Sequence, residues 1–389
     1  MQKDSVRFVI IGGGIIGSSI AYRLAMAGHA ADVVVVEPDP TYEFAATARS
    51  SGGIRQASSL SENVAISKFG LAFYRGFDEA MAVDGEPAAA ELHQEGYLSL
   101  LKAGADLAKT EARITRQRAL GVDLDLFDAA EVKRRYPALA TEDISGATFS
   151  PDYASIDPYG VLMGFRRKAI SLGVTYLKDK VVGLDLSGDK VVGVKLQSGR
   201  RLIPEAVVNC ANAWAPEICA MVEIEIPVVP LRRASYFFAT REPVGTLTRI
   251  KDTSGVSFRP EGEGFATGFT DPKEQPGFDW DADEAWFHEE IWPRLAHRVP
   301  AFESLKLQSS WIGMYDMNRF DHQPILGPWP GGPANYHLAV GFSGHGLQST
   351  PAVGLGMAEL LLEGRFRTLD LSLFSGQRVI DGRPLKDGD

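Results

Sequence analysis

The hydrophobic pattern opens with a strand, a glycine turn and a helix. Val6-Arg-Phe-Val-Ile-Ile11 is a β-rich run closed by glycine, which reads as a parallel strand buried on both faces. Ile15, Ile16, Ile20, Leu24 and Ala27 then recur at helical spacing, and Gly28 stands where the residue just past a helix end is expected. Val33 to Val36 forms a second buried strand, so the opening reads as β-turn-α-β. Helical spacing returns over 62–82, 104–120 and 157–172, and strand-like runs cover 179–186, 190–196 and 206–209. Ser187-Gly-Asp-Lys190 separates two Val-rich runs as a hairpin turn. Alternating β-formers over 226–270 predict an antiparallel sheet, 279–297 an amphipathic helix, and Tyr336 to Val340 a strand. A helix is then expected to start at Ser349 or Thr350, with Pro351 in its first turn, and to end near Gly364. No solenoid repeat and no low-complexity linker interrupts this order, which favours interleaved domains. The expected fold is α/β: a Rossmann-like domain interleaved with an antiparallel-sheet, α+β part.

Composition narrows the function. The chain has 389 residues, room for two or three domains. Its 40 Lys and Arg against 50 Asp and Glu leave a net charge of −10, which argues against nucleic acid or an anionic membrane as partner. Cys210 and Cys219 are the only cysteines, too few for a disulfide framework or a four-cysteine zinc site, so no metal is expected and the compartment reads as reducing. The uncharged stretch Phe8 to Tyr22 is shorter than the roughly 18 residues of a spanning helix and is broken by glycines. It also fails as a secretory signal, because Asp4 stands in what would be the positive leader. These features read as a soluble, cytoplasmic protein without a transmembrane segment.

Gly12-Gly-Gly14-Ile-Ile-Gly17 places G-x-G-x-x-G directly between strand and helix, and Glu37 follows 20 residues after Gly17. In such a turn the first glycine makes the bend, the second lets backbone approach a pyrophosphate at the helix N-terminus, and the third lets helix and strand pack closely; an acid at the end of the second strand accepts the ribose hydroxyls. Glu37 disfavours the 2′-phosphate of NADP, leaving NAD or FAD. The small-residue segment Phe44 to Gln56, which carries Arg49 and Arg55, breaks the regular βαβ repeat of NAD dehydrogenases and suits an extended cofactor, so FAD is the better fit. The glycine-rich turn Gly341 to Gly346, leading into a helix, presents free N–H groups and a partial positive charge suited to a reduced flavin.

Five segments together resemble the D-amino-acid-oxidase superfamily, in the branch of glycine oxidase, sarcosine oxidase and dimethylglycine dehydrogenase. They are Gly12 to Gly17 with Glu37, Ser51-Gly-Gly-Ile-Arg-Gln56, Val207 to Trp214, Trp311-Ile-Gly-Met-Tyr315 with Asp321, and Gly341-Phe-Ser-Gly-His-Gly346. The resemblance implies an FAD-binding domain from 1–80, 145–225 and 310–375, a substrate domain from 81–144 and 226–309, and a tail over 376–389. It implies FAD contacts from Gly12, Gly14, Ile15, Ile16, Gly17, Glu37 and Pro38, then from Arg49, Ser50, Ser51 and Gly52 along the flavin. Val181 and Ala211 fall near the adenine side, Gly344, His345 and Gly346 at the flavin pyrimidine, and Arg55 and Gln348 facing the substrate or the flavin edge. Asn212, Trp214, Gly313, Gly341 and Leu347 are further implied FAD contacts. Arg55, Tyr315, Gln348 and His345 are the implied catalytic group, with Arg55 a clamp for a substrate carboxylate or a brace for the flavin loop, and Tyr315 a wall of the substrate cage or a core residue.

The implied reaction oxidises the C–N bond of an amino acid or secondary amine, with hydride passing to flavin N5 and the imine then hydrolysed. The electron acceptor is a quinone, an electron-transfer protein or oxygen. A D-amino-acid dehydrogenase is one alternative. Another is a flavin-bearing assembly or binding protein with little turnover, because Gly-Gly-Ile-Arg-Gln and Gly-His-Gly-Leu-Gln also resemble flavoproteins tied to respiratory-complex assembly. Departures from the pattern matter as well. Gly313 stands where sarcosine oxidases carry a flavin-linking cysteine, and Arg49 near a linking histidine, so FAD is expected to be non-covalent. Gln348 replaces a cationic residue, Asn212 a glycine, and Ala266 a lysine that promotes reaction with oxygen. Arg232-Arg233 reads either as a guide for anionic substrates or as a solvated pair, and the solvated pair is the expectation.

Overall fold

The computed structural model describes residues 5–386; residues 1–4, in the first expected FAD-binding segment, and 387–389, in the expected tail, lie outside the described residues. Two eight-stranded sheets organise the chain. The first has a parallel core in the order Thr175–Lys178, Val33–Glu37, Ser5–Ile11, Arg201–Asn209, Tyr336–Val340. Its central strands are apolar where both faces are covered, as in Phe8 to Ile11, Val33 to Val36 and Val207 to Val208, while the edge strand Thr175–Lys178 is part-exposed. Phe8, Ile10, Val33 and Val35 enter the core beneath helices Ile15–Leu24 and Gly346–Glu363, while Val9, Ile11, Val34 and Val36 enter the core on the other side. The hairpin Val181–Ser187 with Lys190–Leu196 turns at Ser187 to Lys190, as its pattern predicts.

The second sheet runs in the order Lys306–Asn318, Val228–Ala239, Gly264–Gly268, Ser257–Glu261, Arg249–Lys251, Tyr97–Lys102, Ile144–Ser150, Asp125–Asp128. It is antiparallel except between Arg249–Lys251 and Tyr97–Lys102, which run parallel. Those two strands come from distant chain segments, so no hairpin forces their directions to oppose. Alternation gives the sheet two faces. Leu98, Leu100, Ile250 and Phe258 pack with Phe287 and Ile291 of the helical segment that follows Asp283, and Tyr97, Ser99, Arg249, Lys251, Ser257 and Arg259 lie on the opposite, polar face. That polar face lines the cavities described below.

Three sequence expectations shift. Strands Ile144–Ser150 and Lys306–Asn318 extend into segments expected to be FAD-binding, because beyond a register shift between Phe237 and Phe238 the pairing with Val228–Ala239 runs on from Ser309 through Asn318. Beyond residue 375 the chain does not trail away: Arg378, 5 % exposed, pairs with Asp321 and donates to the carbonyls of Phe374, Gln323 and Pro324. The C-terminal helix starts at Gly346, not at Ser349, and holds Pro351 in its interior. The missing N–H of Pro351 deprives the Leu347 carbonyl of its helical partner, and the Tyr74 hydroxyl donates to it at 2.7 Å instead.

Candidate active site

The glycine turn opens onto a cleft of about 710 Å³. Gly12 has φ +98°, and a Cβ there would meet the Cys210 carbonyl at 2.6 Å; a Cβ on Gly17 would meet the Gly12 carbonyl at 2.0 Å, so strand and helix touch only because both are glycine. A Cβ on Gly14 would meet nothing within 4 Å, since that side faces the open cleft. The Ser18 N–H bonds back to the Gly14 carbonyl at 2.9 Å, leaving the amides of Ile15 and Ile16 without helical acceptors. No side chain caps this helix and no acid sits in its first turn, the arrangement that receives a phosphate.

At the end of the second strand, the Glu37 carboxylate accepts the Gly13 N–H at 2.8 Å and the Asp39 N–H at 2.9 Å. Burial pushes its pKa up against these bonds. Pro38 lies beside it on the cleft wall, and Val181, Ala211, Asn212 and Trp214 form the far side. Asn212 has φ +50° and its side-chain oxygen accepts the Ala213 N–H, so asparagine substitutes for glycine at a left-handed backbone position. Trp280 and Asp316 are among the wall residues that escaped sequence reasoning. Trp280, from the loop before Asp283, meets Phe44 edge-to-face at 4.8 Å, and its neighbour Phe278 stacks on Trp214 at 5.1 Å; the loop thereby straps the cleft. Asp316 is fully buried at the cleft and accepts the Gly341 and Phe342 N–H groups at 2.6 and 3.0 Å.

Arg49, Ser50, Ser51 and Gly52 form the segment leading from the strap toward the second sheet. The Arg49 guanidinium lies over Phe44 and Trp280 and donates to the Ile312 carbonyl at 3.1 Å, and its own carbonyl accepts the Trp311 indole N–H at 3.1 Å. Gly313 faces it, 3.5 Å separating the Arg49 carbonyl from a Cβ placed there. Ser51, Tyr315, Gly344 and His345 line a cavity of about 370 Å³. Gly344, at φ +91°, must be glycine because a Cβ would meet the Tyr315 ring at 2.3 Å. His345 stands at the N-terminus of the C-terminal helix, whose first turn, Gly346, Leu347 and Gln348, carries no acid.

The sheet contributes the arginines of this cavity, and they were absent from the expected site. Arg249 and Arg259 reach it from neighbouring strands, and Arg233 lies over the Tyr315 ring at 5.5 Å. Arg233 is ion-paired with Glu274 and Arg259 with Glu261, so the Arg232-Arg233 pair is not simply solvated. Among the described residues no carboxylate pairs with Arg249, and Arg259 Nε is buried without a partner. Burial raises the Tyr315 pKa, keeping its hydroxyl protonated. The legible signal was strand alternation, which puts Ser257 and Arg259 on one face beside Arg249.

Arg55 does not line the Tyr315 cavity. It lines an adjoining space of about 600 Å³, because the short strand Gly53–Ile54 pairs with Ala154–Ser155 and carries it to that side. His345 is on the wall of both spaces. The Gln348 amide oxygen accepts the Arg55 backbone N–H at 3.3 Å and its amide nitrogen donates to Ser67, so Gln348 anchors this loop. The structure therefore brings Tyr315 and His345 together in one space, and Arg55 with His345 in the next.

Comparison with known proteins bears on which dinucleotide this is. Residues 7–360 match the DAO family, described as FAD dependent oxidoreductase. The chain belongs to the DAO family. Among its relatives in that family, bovine FAD-dependent oxidoreductase domain-containing protein 1 is 36 % identical, over 97 % of this chain and 86 % of the relative. Human mitochondrial sarcosine dehydrogenase is 24 % identical over 93 % of this chain, which spans 40 % of that longer protein. Of solved structures, L-proline dehydrogenase from P. horikoshii superposes with a TM-score of 0.87 at 26 % identity, covering 98 % of this chain and 99 % of that one. Glycine oxidase from Geobacillus kaustophilus shares the fold, with a TM-score of 0.82 at 22 % identity over 95 % of this chain and 98 % of that one. As a DAO-family member the protein is an FAD-dependent oxidoreductase, and the cleft fits FAD: the open side of Gly14, the uncapped helix and Glu37 are the features a dinucleotide needs.

Proposed function

We propose that the protein oxidises a small amino acid or N-substituted amino acid at the carbon beside nitrogen, with FAD bound non-covalently and electrons leaving to a carrier other than oxygen. The observation that carries this is Arg249, a cation without a carboxylate partner in the Tyr315 cavity. A donor carboxylate completes it through charge-assisted hydrogen bonds, and the Tyr315 hydroxyl, held protonated, donates a further one. That fixes the donor by its carboxylate end and leaves its amine end to be set by the cavity walls at His345 and Gly344. The Gly346 helix N-terminus adds a fixed partial positive charge beside them. FAD, when bound, supplies the hydride acceptor. The resemblance to an L-proline dehydrogenase and a sarcosine dehydrogenase supports a donor with a carboxylate and an amine.

The test is anaerobic bleaching of the holoenzyme by a panel of sarcosine, dimethylglycine, proline and D-amino acids. At least one should reduce the flavin. Replacing Arg249 with Met should then raise the donor dissociation constant about tenfold or more, since a hydrogen bond to a charged group contributes roughly 1.5–3 kcal/mol and a decade is 1.4 kcal/mol. Bleaching by none of the panel favours a flavin-bearing binding protein instead.

A further inference from the structure

The space lined by Arg55 takes no part in the oxidation proposed above. It lies beside the Tyr315 cavity along the same polar sheet face, and His345 borders both. Strand Arg249–Lys251 sends Arg249 into one and Lys251 into the other, two residues apart on one side of the strand and so roughly 7 Å apart. In a chain of net charge −10, its walls carry Arg55, Arg113, Lys251, Arg319 and Lys386. Among the described residues none of these five is ion-paired to a carboxylate. The one carboxylate on the wall, Asp321, is already engaged. Its side chain is inaccessible, pairs with Arg378 at 2.8 and 3.1 Å, and accepts the Gln323 N–H at 3.0 Å.

Two lining residues also keep a buried polar atom without a partner: Gln117 Oε1 and Ser150 Oγ. They are 9 % and 3 % exposed. The Ser150 hydroxyl is a donor without an acceptor, and the Gln117 amide, turned over, presents its N–H groups to the same space. Five cations and two unused polar groups around one cavity describe a receptor for an anion.

We propose that this space receives a second anionic arm of the donor. The donor is then an N-substituted amino acid whose first carboxylate lies against Arg249 and whose nitrogen substituent ends in another carboxylate, held by Lys251, Arg113 and Arg55. The shared wall at His345 and the spacing of Arg249 and Lys251 join the two spaces into one site for a two-headed molecule. The inference rests on the reading of the Tyr315 cavity as the donor site.

The test uses the oxidised holoenzyme and two thioethers, in which sulfur replaces the reacting nitrogen so that they bind without turning over. One is (methylthio)acetate, with a single carboxylate; the other is 4-(carboxymethylthio)butanoate, with two. Binding is read by calorimetry and by the change in flavin absorbance. The dicarboxylate should bind at least tenfold more tightly than the monocarboxylate, and R113Q and K251Q should each remove most of that gain while leaving (methylthio)acetate binding as it was. R249M should weaken both. Equal binding of the two thioethers, with (methylthio)acetate still dependent on Arg249, overturns the second arm and leaves the donor site standing. Failure of (methylthio)acetate to bind overturns both readings. A dicarboxylate that binds independently of Arg249 marks a separate anion site and likewise overturns the proposal.

Discussion

Asp316 shows at the scale of one residue how the cleft is held and what that costs. Its carboxylate accepts two backbone N–H groups from the glycine turn, which aims the N-terminus of the C-terminal helix, yet burial raises its pKa from 3.8 to about 6. A group whose folded pKa is raised contributes stability fully below its unfolded pKa, and that contribution is lost as pH rises through the folded value. Both N–H groups reach the same oxygen, so asparagine at this position keeps both bonds and does not titrate. Urea unfolding of the apoprotein between about pH 4 and 7 should therefore show D316N gaining on the wild type as pH rises, with the divergence centred between the unfolded and folded pKa values. Parallel stability curves would show that Asp316 does not titrate in this range.

The strap from Phe269 to Asp283 is the element that joins the two sheets across the cleft. Trp280 on Phe44, Phe278 on Trp214 and Arg49 over both Phe44 and Trp280 make an aromatic clasp, in which Trp280 meets Phe44 and Arg49 across more than two hundred residues of chain. Such a pair contributes about 0.5–1.5 kcal/mol beyond its buried area. In our reading FAD is held without a covalent bond, and its retention then rests on contacts of this kind. Trp280→Ala should speed FAD release from the holoenzyme about threefold to tenfold, followed by the recovery of flavin fluorescence, and acid denaturation of the wild type should free all the yellow colour. Colour left in the pellet, or an unchanged release rate, would show that the strap does not retain the cofactor.

For the molecule as a whole, our reading ties the choice of electron acceptor to the distribution of charge. Ala266 lies on the wall of the Tyr315 cavity, Arg233 is paired with Glu274 and Arg259 with Glu261, and Arg249 is the partner of the donor carboxylate in our reading. With donor or product in place, among the described residues no unpaired arginine or lysine remains on that cavity's wall for an anion forming on oxygen, and a preorganised stabiliser of that sort lowers a barrier by about 2.7–4 kcal/mol. The donor-reduced enzyme should thus be reoxidised faster by a quinone-type acceptor than by air-saturated buffer in stopped-flow measurements. Reoxidation in air as fast as donor turnover would make it an oxidase.

How much of this could be read without coordinates follows from the range of the interactions involved. The sequence determined what depends on neighbours along the chain: the glycine turn between strand and helix, Glu37 at the end of the next strand, the hairpin at Ser187 to Lys190, and much of the dinucleotide cleft, where Gly12, Gly14, Ile15, Ile16, Glu37, Pro38, Val181, Ala211, Asn212 and Trp214 line one space while Gly17 and Arg49 to Gly52 stand outside it. It did not determine where the C-terminal helix begins, because Pro351 is tolerated inside it only through a hydroxyl donated by Tyr74, far away in the chain. Nor did it place Arg55 apart from Tyr315, or gather Arg249 and Arg259 beside Tyr315. Those positions depend on which strands pair, including a parallel pair between segments with no hairpin to bind them, and on which face of the sheet alternation then turns toward the cleft. Local spacing sets the cofactor turn because a helix N-terminus and a glycine bend act over a few residues; the donor site was decided by tertiary structure because its charges meet only after the sheet has closed.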